Sequence, residues 1–250
     1  MPGLEKILRG ILKYQATLRP EMVHEFEKVK DNPEPVAVLF SCMDSRLVIS
    51  RLLQSSVGDM FSIRNAGNLV PHHDCLSYDS VTTEPGALEL GCIVNKIRHI
   101  MVCGHTDCKA MNLLFSIKDK MADHSGTPLV LWMKKHGQRT VDKYNAWKEG
   151  GGKSAIIFQA ESADKLFEAY IDPENQFAEV DKFSQINTLQ QLQNIASHPI
   201  IHDKIANDEV RLNALWFDIY KGNFFMFSRS RKQFIPVTEE SYDHLFEDGK

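Results

Sequence analysis

The chain has 250 residues, a length that fits one large α/β domain or two smaller ones. Hydrophobic residues make up 43% of it and charged residues 25%, which excludes a disordered, collagen-like or coiled-coil protein. The 29 basic against 33 acidic residues give a net charge of −4, so we expect a small substrate and no nucleic-acid partner. No apolar run approaches the roughly 18 to 20 residues of a membrane helix, so we expect a soluble protein with no membrane insertion.

The first 34 residues have the apolar spacing of an amphipathic helix, followed by a second short helix over residues 21–29. The apolar stripe of the first helix consists of Leu4, Ile7, Leu8, Ile11, Leu12 and Tyr14. We interpret residues 1–34 as a structural arm rather than a cleaved transit peptide, because the segment contains Glu5 and no serine. Arginines on its polar face keep a mitochondrial address open beside a cytoplasmic one.

Strands and a helix alternate in the next part of the chain. Strand-like runs cover residues 36–40, 61–64 and 98–103, and a helical pattern covers residues 85–95. The first and third strands consist almost entirely of apolar residues, as expected for buried parallel strands. This order predicts βαβ units around a parallel sheet.

The C-terminal half has weaker signals. Residues 119–152 look polar and irregular, with a flexible joint at the three glycines that end the segment. Residues 184–197 predict a helix with one buried face, and residues 215–220 and 224–227 predict a hairpin turning at Gly222. The aromatic side chains of this hairpin, next to basic residues, suggest a nucleic-acid stacking platform as an alternative, but core strands are far commoner.

Five cysteines, an odd number, argue against a disulfide scaffold. They are Cys42, Cys75, Cys92, Cys103 and Cys108. Without a secretory signal core, this pattern favours reduced thiols in an intracellular compartment, where cysteine usually serves metal binding or catalysis.

Two of the predicted strands end at residues that bind soft metals. Cys42 follows the first strand, and His105 with Cys108 follows the third. The carboxyl ends of parallel strands meet at one edge of the sheet, so these residues can converge there. Two thiolates and an imidazole would fill three of the four positions around Zn²⁺ and leave one for water or substrate, which is typical of a catalytic zinc. Burial as a small apolar residue is the ordinary alternative for a free cysteine, and we assign that role to Cys103.

Asp44 and Arg46 follow the first of these cysteines closely. A carboxylate and a guanidinium can pair in a bidentate fork, which would fix the carboxylate as an acceptor for a hydroxide on the zinc. A structural salt bridge within the turn is an equally good interpretation of the two residues alone.

Two other kinds of site fit the same residues less well. A phosphatase-type nucleophile at Cys42 needs an arginine six residues later, where Val48 stands. A structural zinc ribbon needs a fourth cysteine or histidine in paired spacing, which we do not find convincingly.

Three motifs together make the sequence recognisable: residues 42–46 (CMDSR), 64–68 (RNAGN) and 104–108 (GHTDC). In this order and spacing they resemble the β-class carbonic anhydrases. The resemblance runs from about residue 4 to residue 245 and is closest to the animal members, through the segments 83–90, 171–175 and 215–220.

The resemblance implies an α/β fold with a mostly parallel central β-sheet, an antiparallel edge strand, flanking helices and an N-terminal helical arm. It divides the chain into a dimerisation arm over residues 1–34 and a zinc-binding catalytic domain over residues 35–250. The implied reaction is the reversible hydration of carbon dioxide to bicarbonate and a proton, by attack of zinc-bound hydroxide. Carried over by position, Cys42, His105 and Cys108 are the zinc ligands, and Asp44 with Arg46 is the orienting dyad.

The substrate side departs from the family pattern. Many relatives have Gly where Lys109 stands, and plant-like members have Tyr where Leu90 stands and Gln at the position of Pro33. Phe61 and Ala66 match the apolar wall beside carbon dioxide, so we expect these two residues with Leu90 to be substrate-binding. A non-catalytic module that binds zinc or bicarbonate is the rival interpretation.

Two further expectations concern regulation and proton transfer. Some bacterial relatives close the zinc with the aspartate and have Trp three residues before the first ligand, where this chain has Leu39. We therefore expect Asp44 to remain paired with Arg46 near neutral pH. His72 and His73 are candidate proton shuttles only because imidazole titrates in the useful range, and solvated loop histidines are the commoner case.

The arm predicts assembly, because its apolar stripe has too little neighbouring sequence to cover it within one chain. We expect a homodimer or a dimer of dimers.

Overall fold

The computed structural model describes residues 2–159 and 166–250. Its helices are α1 (Pro2–Thr17), α2 (Arg19–Val29), α3 (Ile49–Leu52), α4 (Thr83–Leu88), α5 (Lys109–Ile117), α6 (Pro128–Glu149), α7 (Glu179–Ala196), α8 (Pro199–Ala206) and α9 (Glu239–Gly249). Its strands are β1 (Ala37–Cys42), β2 (Met60–Asn65), β3 (His99–His105), β4 (Ile156–Gln159), β5 (Leu166–Ala169), β6 (Arg211–Asp218), β7 (Asn223–Ser228) and β8 (Gln233–Pro236). A π-helical segment, Glu89–Val94, continues α4.

A six-stranded sheet in the order β2-β1-β3-β6-β7-β8 forms the centre of the fold. Strands β2, β1, β3 and β6 are parallel, and β7 and β8 add an antiparallel edge two strands wide. The predicted fold class is confirmed, as are the hairpin of β6 and β7 and the helical arm. Strands β4 and β5 form a separate antiparallel pair that the sequence analysis did not predict.

Close packing of helix α7 fixes the end of β3. A Cβ atom added at Gly104 would lie 2.0 Å from the hydroxyl of Thr188, so only glycine allows this approach. Fifteen residues of α7 are buried, so the prediction of one buried face was wrong. Side-chain amides of α7 serve as hydrogen-bond partners of the backbone that follows β2. Asn187 donates to the carbonyl of Gly67, and Gln191 accepts from the N–H of Val70.

The expectation of an irregular segment over residues 119–152 was also wrong. Residues 128–149 form the long helix α6, which begins with a proline after Thr127, whose hydroxyl accepts from the N–H of Val130. The face of α6 toward the core includes Lys134, His136 and Thr140, so polar residues hide its helical apolar spacing. Among the described residues, no helix combines the length and the apolar character needed to cross a bilayer.

Candidate metal centre

The carboxyl ends of β1 and β3 bring together the three predicted metal ligands. Cys42 is the last residue of β1, His105 is the last residue of β3, and Cys108 precedes the first turn of α5. All three side chains are buried, and their ligand atoms lie within 4.8 Å of one another. The two sulfur atoms are 3.7 Å apart. Convergence at this edge follows from the parallel register, which places β1 directly beside β3.

The hydrogen bonds of His105 leave one ring nitrogen ready to bind a metal. Its Nδ1 lies 2.7 Å from the carbonyl oxygen of Thr106, and because a carbonyl only accepts, Nδ1 carries the proton. The lone pair is then on Nε2, which is buried and has no hydrogen-bond partner among the residues the structure describes. A buried acceptor without a donor is costly, and a cation would satisfy it.

Among the buried cysteines whose pKa is shifted, Cys42 alone has a lowered pKa. The hydrogen bond from Cys108 lowers the pKa of Cys42, and the same bond and burial raise the pKa of Cys108. The lowered pKa favours the thiolate of Cys42, the form that binds metal. Burial instead raises the pKa of Cys92 to about 11 and that of Cys103 to about 12, which fits the packing role assigned to Cys103. The donor set of two sulfurs and one imidazole fits Zn²⁺.

The residue just after β6 and a residue of α7 hold the ligand loop, residues 105–108, which carries His105 and Cys108. The hydroxyl of Thr106 accepts from the N–H of Ile219 at 2.8 Å, and the hydroxyl of Ser184 donates to the carbonyl of His105 at 2.9 Å. Such contacts orient metal ligands without touching the metal.

Asp44 and Arg46 form the predicted fork. The Nε of Arg46 donates to Oδ1 of Asp44 at 3.0 Å, and a terminal nitrogen donates to Oδ2 at 2.7 Å. This guanidinium holds the pKa of Asp44 well below its usual range, so the carboxyl remains ionised. Arg64, which the sequence analysis gave no role, donates to the carbonyls of Cys42 and Asp44 and so fixes the backbone between them.

A cavity of about 490 Å³ opens beside this cluster, with Cys42, Asp44 and Arg46 in its lining. Apolar residues form much of its wall: Met43, Ala66, Ala110, Leu113 and Leu129. Leu129 comes from α6, so a sequence analysis that missed this helix could not place it. Lys109 also lines the cavity.

Two of the three predicted substrate residues lie elsewhere in the single chain. Ala66 lines the cavity, but Phe61 and Leu90 are not among the described residues that do. Phe61 belongs to the edge strand β2, and Leu90 is 51% exposed on the π-helical segment. The candidate shuttles are also outside this lining: His72 is buried rather than solvated, with its Nδ1 accepting from the N–H of Asp74, and His73 is exposed.

Comparisons with known proteins show the family of the chain. A family model described as carbonic anhydrase matches residues 37–224. Over 247 residues the chain is 42% identical to beta carbonic anhydrase 1 of Caenorhabditis elegans, covering 97% of this chain and 91% of the relative. It is 40% identical to the protein of the same name in Caenorhabditis briggsae, with the same coverage.

Solved structures agree on the fold. The beta-carbonic anhydrase CcaA matches with a TM-score of 0.74 at 23% identity, covering 96% of this chain and 94% of that one. Because the family model spans most of the chain and the nematode relatives match nearly all of it, the chain belongs to the carbonic anhydrase family, as an enzyme of its beta class.

Proposed function

We propose that this enzyme hydrates carbon dioxide reversibly with a zinc ion held by Cys42, His105 and Cys108, and that Asp44 and Arg46 position the nucleophile. Membership of the carbonic anhydrase family supports the reaction. The observation that carries the site is the buried cluster of three ligand atoms with an unpartnered Nε2 on the imidazole. Zinc with an open fourth position supplies hydroxide near pH 7, because it lowers the pKa of a bound water to about 7.

The dyad would position the nucleophile that the metal supplies. An ionised carboxylate has no proton to give, so Asp44 can only accept, and it would accept a hydrogen bond from that nucleophile. Held in this way, the nucleophile would keep a lone pair free for the carbon of carbon dioxide, and the product would be bicarbonate. Arg46 occupies both oxygens of Asp44 and so keeps the carboxylate in this orientation.

The cavity supplies the other requirement of the reaction. Carbon dioxide is small and uncharged, so it needs an apolar wall beside the nucleophile rather than a charged clamp. Ala66, Leu113 and Leu129 provide that wall on the same cavity as Asp44. The proton that the reaction releases is taken up by water or buffer.

Stopped-flow hydration with a pH indicator tests the proposal. We expect rapid hydration by the purified enzyme, loss of the rate after zinc is removed with a chelator, and recovery when zinc is returned. Cys75→Ser is a suitable control, since Cys75 is a free cysteine outside the cluster. Zinc bound one per chain with hydration no faster than buffer would support the rival non-catalytic module instead.

We also propose a homodimer or a dimer of dimers assembled through the arm, residues 1–34. The apolar stripe of α1 is exposed, and β2 is an edge strand of the sheet. Phe61 lies in β2 and Leu90 is exposed on the π-helical segment, and we propose that they complete the substrate wall of the neighbouring copy. Deleting residues 1–34 should expose the surface that the arm covers and aggregate the protein, and a truncated chain that stays soluble and sediments like the full chain would contradict this.

For localisation we propose an intracellular compartment, mitochondrial or cytoplasmic. The five free cysteines and the basic residues of α1 support it. Fractionation of cells that express the full chain with a C-terminal tag separates the two compartments.

A further inference from the structure

Asp107 lies between two of the proposed zinc ligands, in a turn that few residue types adopt. Its φ of +50° is in the left-handed region, which aspartate and asparagine tolerate better than most other residues. Its backbone N–H donates to Oδ1 of Asp181 at 2.9 Å, and Asp181 is a buried residue of α7. The backbone of Asp107 is therefore tied to the core of the protein.

The side chain of Asp107 holds the half of the Arg46 guanidinium that Asp44 does not. One terminal nitrogen of Arg46 donates to Oδ2 of Asp107 at 2.7 Å, and the other donates to its carbonyl oxygen at 2.9 Å. The bonds to Asp44 use Nε and that second terminal nitrogen. The guanidinium is thus clamped between two carboxylates along different edges, and the two do not compete for the same N–H groups.

We propose that Asp107 is a positioning residue of the dyad: it anchors Arg46 to the ligand loop and so keeps Asp44 away from the open zinc position. The inference rests on the proposed function. A carboxylate and guanidinium that are paired only with each other can move together, and a free Asp44 carboxylate is an anion that zinc binds well. An anchor on the far side of Arg46 removes that freedom.

Charge and geometry distinguish this role from that of an ordinary ion pair between two loops. Removing one negative charge near a cation site strengthens the binding of other anions there by Coulomb's law. Releasing Asp44 to the metal has the opposite effect, because the carboxylate then competes with an added anion for the same position. The direction of the change in anion affinity therefore separates a positioning role from a simple charge effect.

The experiment uses the full chain carrying Asp107→Asn, which removes the charge and retains the tolerance for positive φ. With cobalt in place of zinc, thiocyanate is titrated and followed by the visible spectrum of the metal, and hydration is measured on the zinc enzyme. We expect thiocyanate to bind about tenfold more weakly and kcat to fall about tenfold, with unchanged metal content. Asp208→Asn is the matched control, because Asp208 also has positive φ and pairs with an arginine, at 2.6 Å, away from the cavity.

A second variant keeps the test decisive if the first folds poorly. Asp107→Gly also allows the left-handed turn and removes the whole side chain. Weaker thiocyanate binding in whichever variants load metal supports the inference, and unchanged or tighter binding overturns it. Arg46→Ala separates this failure from a failure of the proposed function: if that variant loses activity while the Asp107 variants behave as wild type, the dyad stands and only the role of Asp107 is wrong.

Discussion

The metal centre and the N-terminal arm each present groups that the described part of the single chain does not satisfy, and the groups are of opposite kinds. At the metal centre, a buried polar atom, Nε2 of His105, has no hydrogen-bond partner among the described residues. On the arm, large apolar side chains face solvent, with Ile7 62% and Leu12 64% exposed. A buried lone pair is satisfied by a cation, whereas exposed apolar surface is satisfied by more protein.

The two regions also differ in how firmly the chain holds them. The backbone N–H of Thr106 donates to Phe217 of β6, and Ser184 of α7 donates to the carbonyl of His105, so both elements hold the ligand loop in place. No residue of α2 is buried, and the large aliphatic side chains of the stripe on α1 are exposed. The backbone of the candidate metal centre is thus held by the core, whereas the apolar stripe of the arm is left open to solvent.

Replacing His105 by alanine should break the metal centre and have the largest effect. Without the imidazole, two thiols remain, and we expect loss of bound zinc and at least about a 10³-fold fall in hydration. Zinc content by atomic absorption and stopped-flow rates measure both. His99→Ala is the matched control, because His99 is the first residue of the same strand and is exposed. Full zinc content in the His105 variant would show that the imidazole is not a ligand.

Replacing Arg46 by alanine should leave the metal in place but release the Asp44 carboxylate from its fixed orientation. The freed Asp44 carboxylate then competes for the open position, and we expect normal zinc content with about a 10²-fold or larger loss of activity at neutral pH. Arg46→Lys should rescue only partly, since a point charge cannot reproduce the fork. Asp44→Asn should fail differently, because an amide cannot bind the metal as an anion. Near wild-type turnover in Arg46→Ala would make the pair merely structural.

The sequence predicted which three candidate ligands come together better than it predicted the elements around them, for physical reasons. Cys42 and His105 end apolar strands, and the end of such a strand can be predicted from the change in residue composition alone. Helix α6 was missed because its core-facing side contains Lys134 and Thr140, whose partners are visible only in three dimensions. Asp107 was visible in the motif, but its contact with Arg46 spans 61 residues and has no local signal.

Two glutamates on the apolar stripe of the arm should disrupt assembly without changing the metal centre. Charges at Leu8 and Ile11 would have to be buried in any interface built on the apolar stripe, which is strongly unfavourable. We expect Leu8→Glu combined with Ile11→Glu to halve the sedimenting mass, with zinc content unchanged. Lys6→Glu changes a charge on the polar face of the same helix and serves as control. An unchanged mass would mean that the stripe lies outside the interface.

The smallest expected effect comes from Leu90, which would link assembly through the arm to the cavity beside the metal centre. If the arm assembles copies so that Leu90 of one chain borders the cavity of the next, Leu90→Ala removes apolar contact from the substrate wall. We expect a threefold to tenfold fall in kcat/KM, roughly the effect of about 1 kcal/mol of lost apolar contact. Val94→Ala is the control, since Val94 is also exposed on the same π-helical segment. In the monomeric arm variant, the further substitution Leu90→Ala should have no effect, because no neighbouring chain presents that residue. A loss of the same size in monomer and dimer would place the action of Leu90 within its own chain and contradict the shared wall.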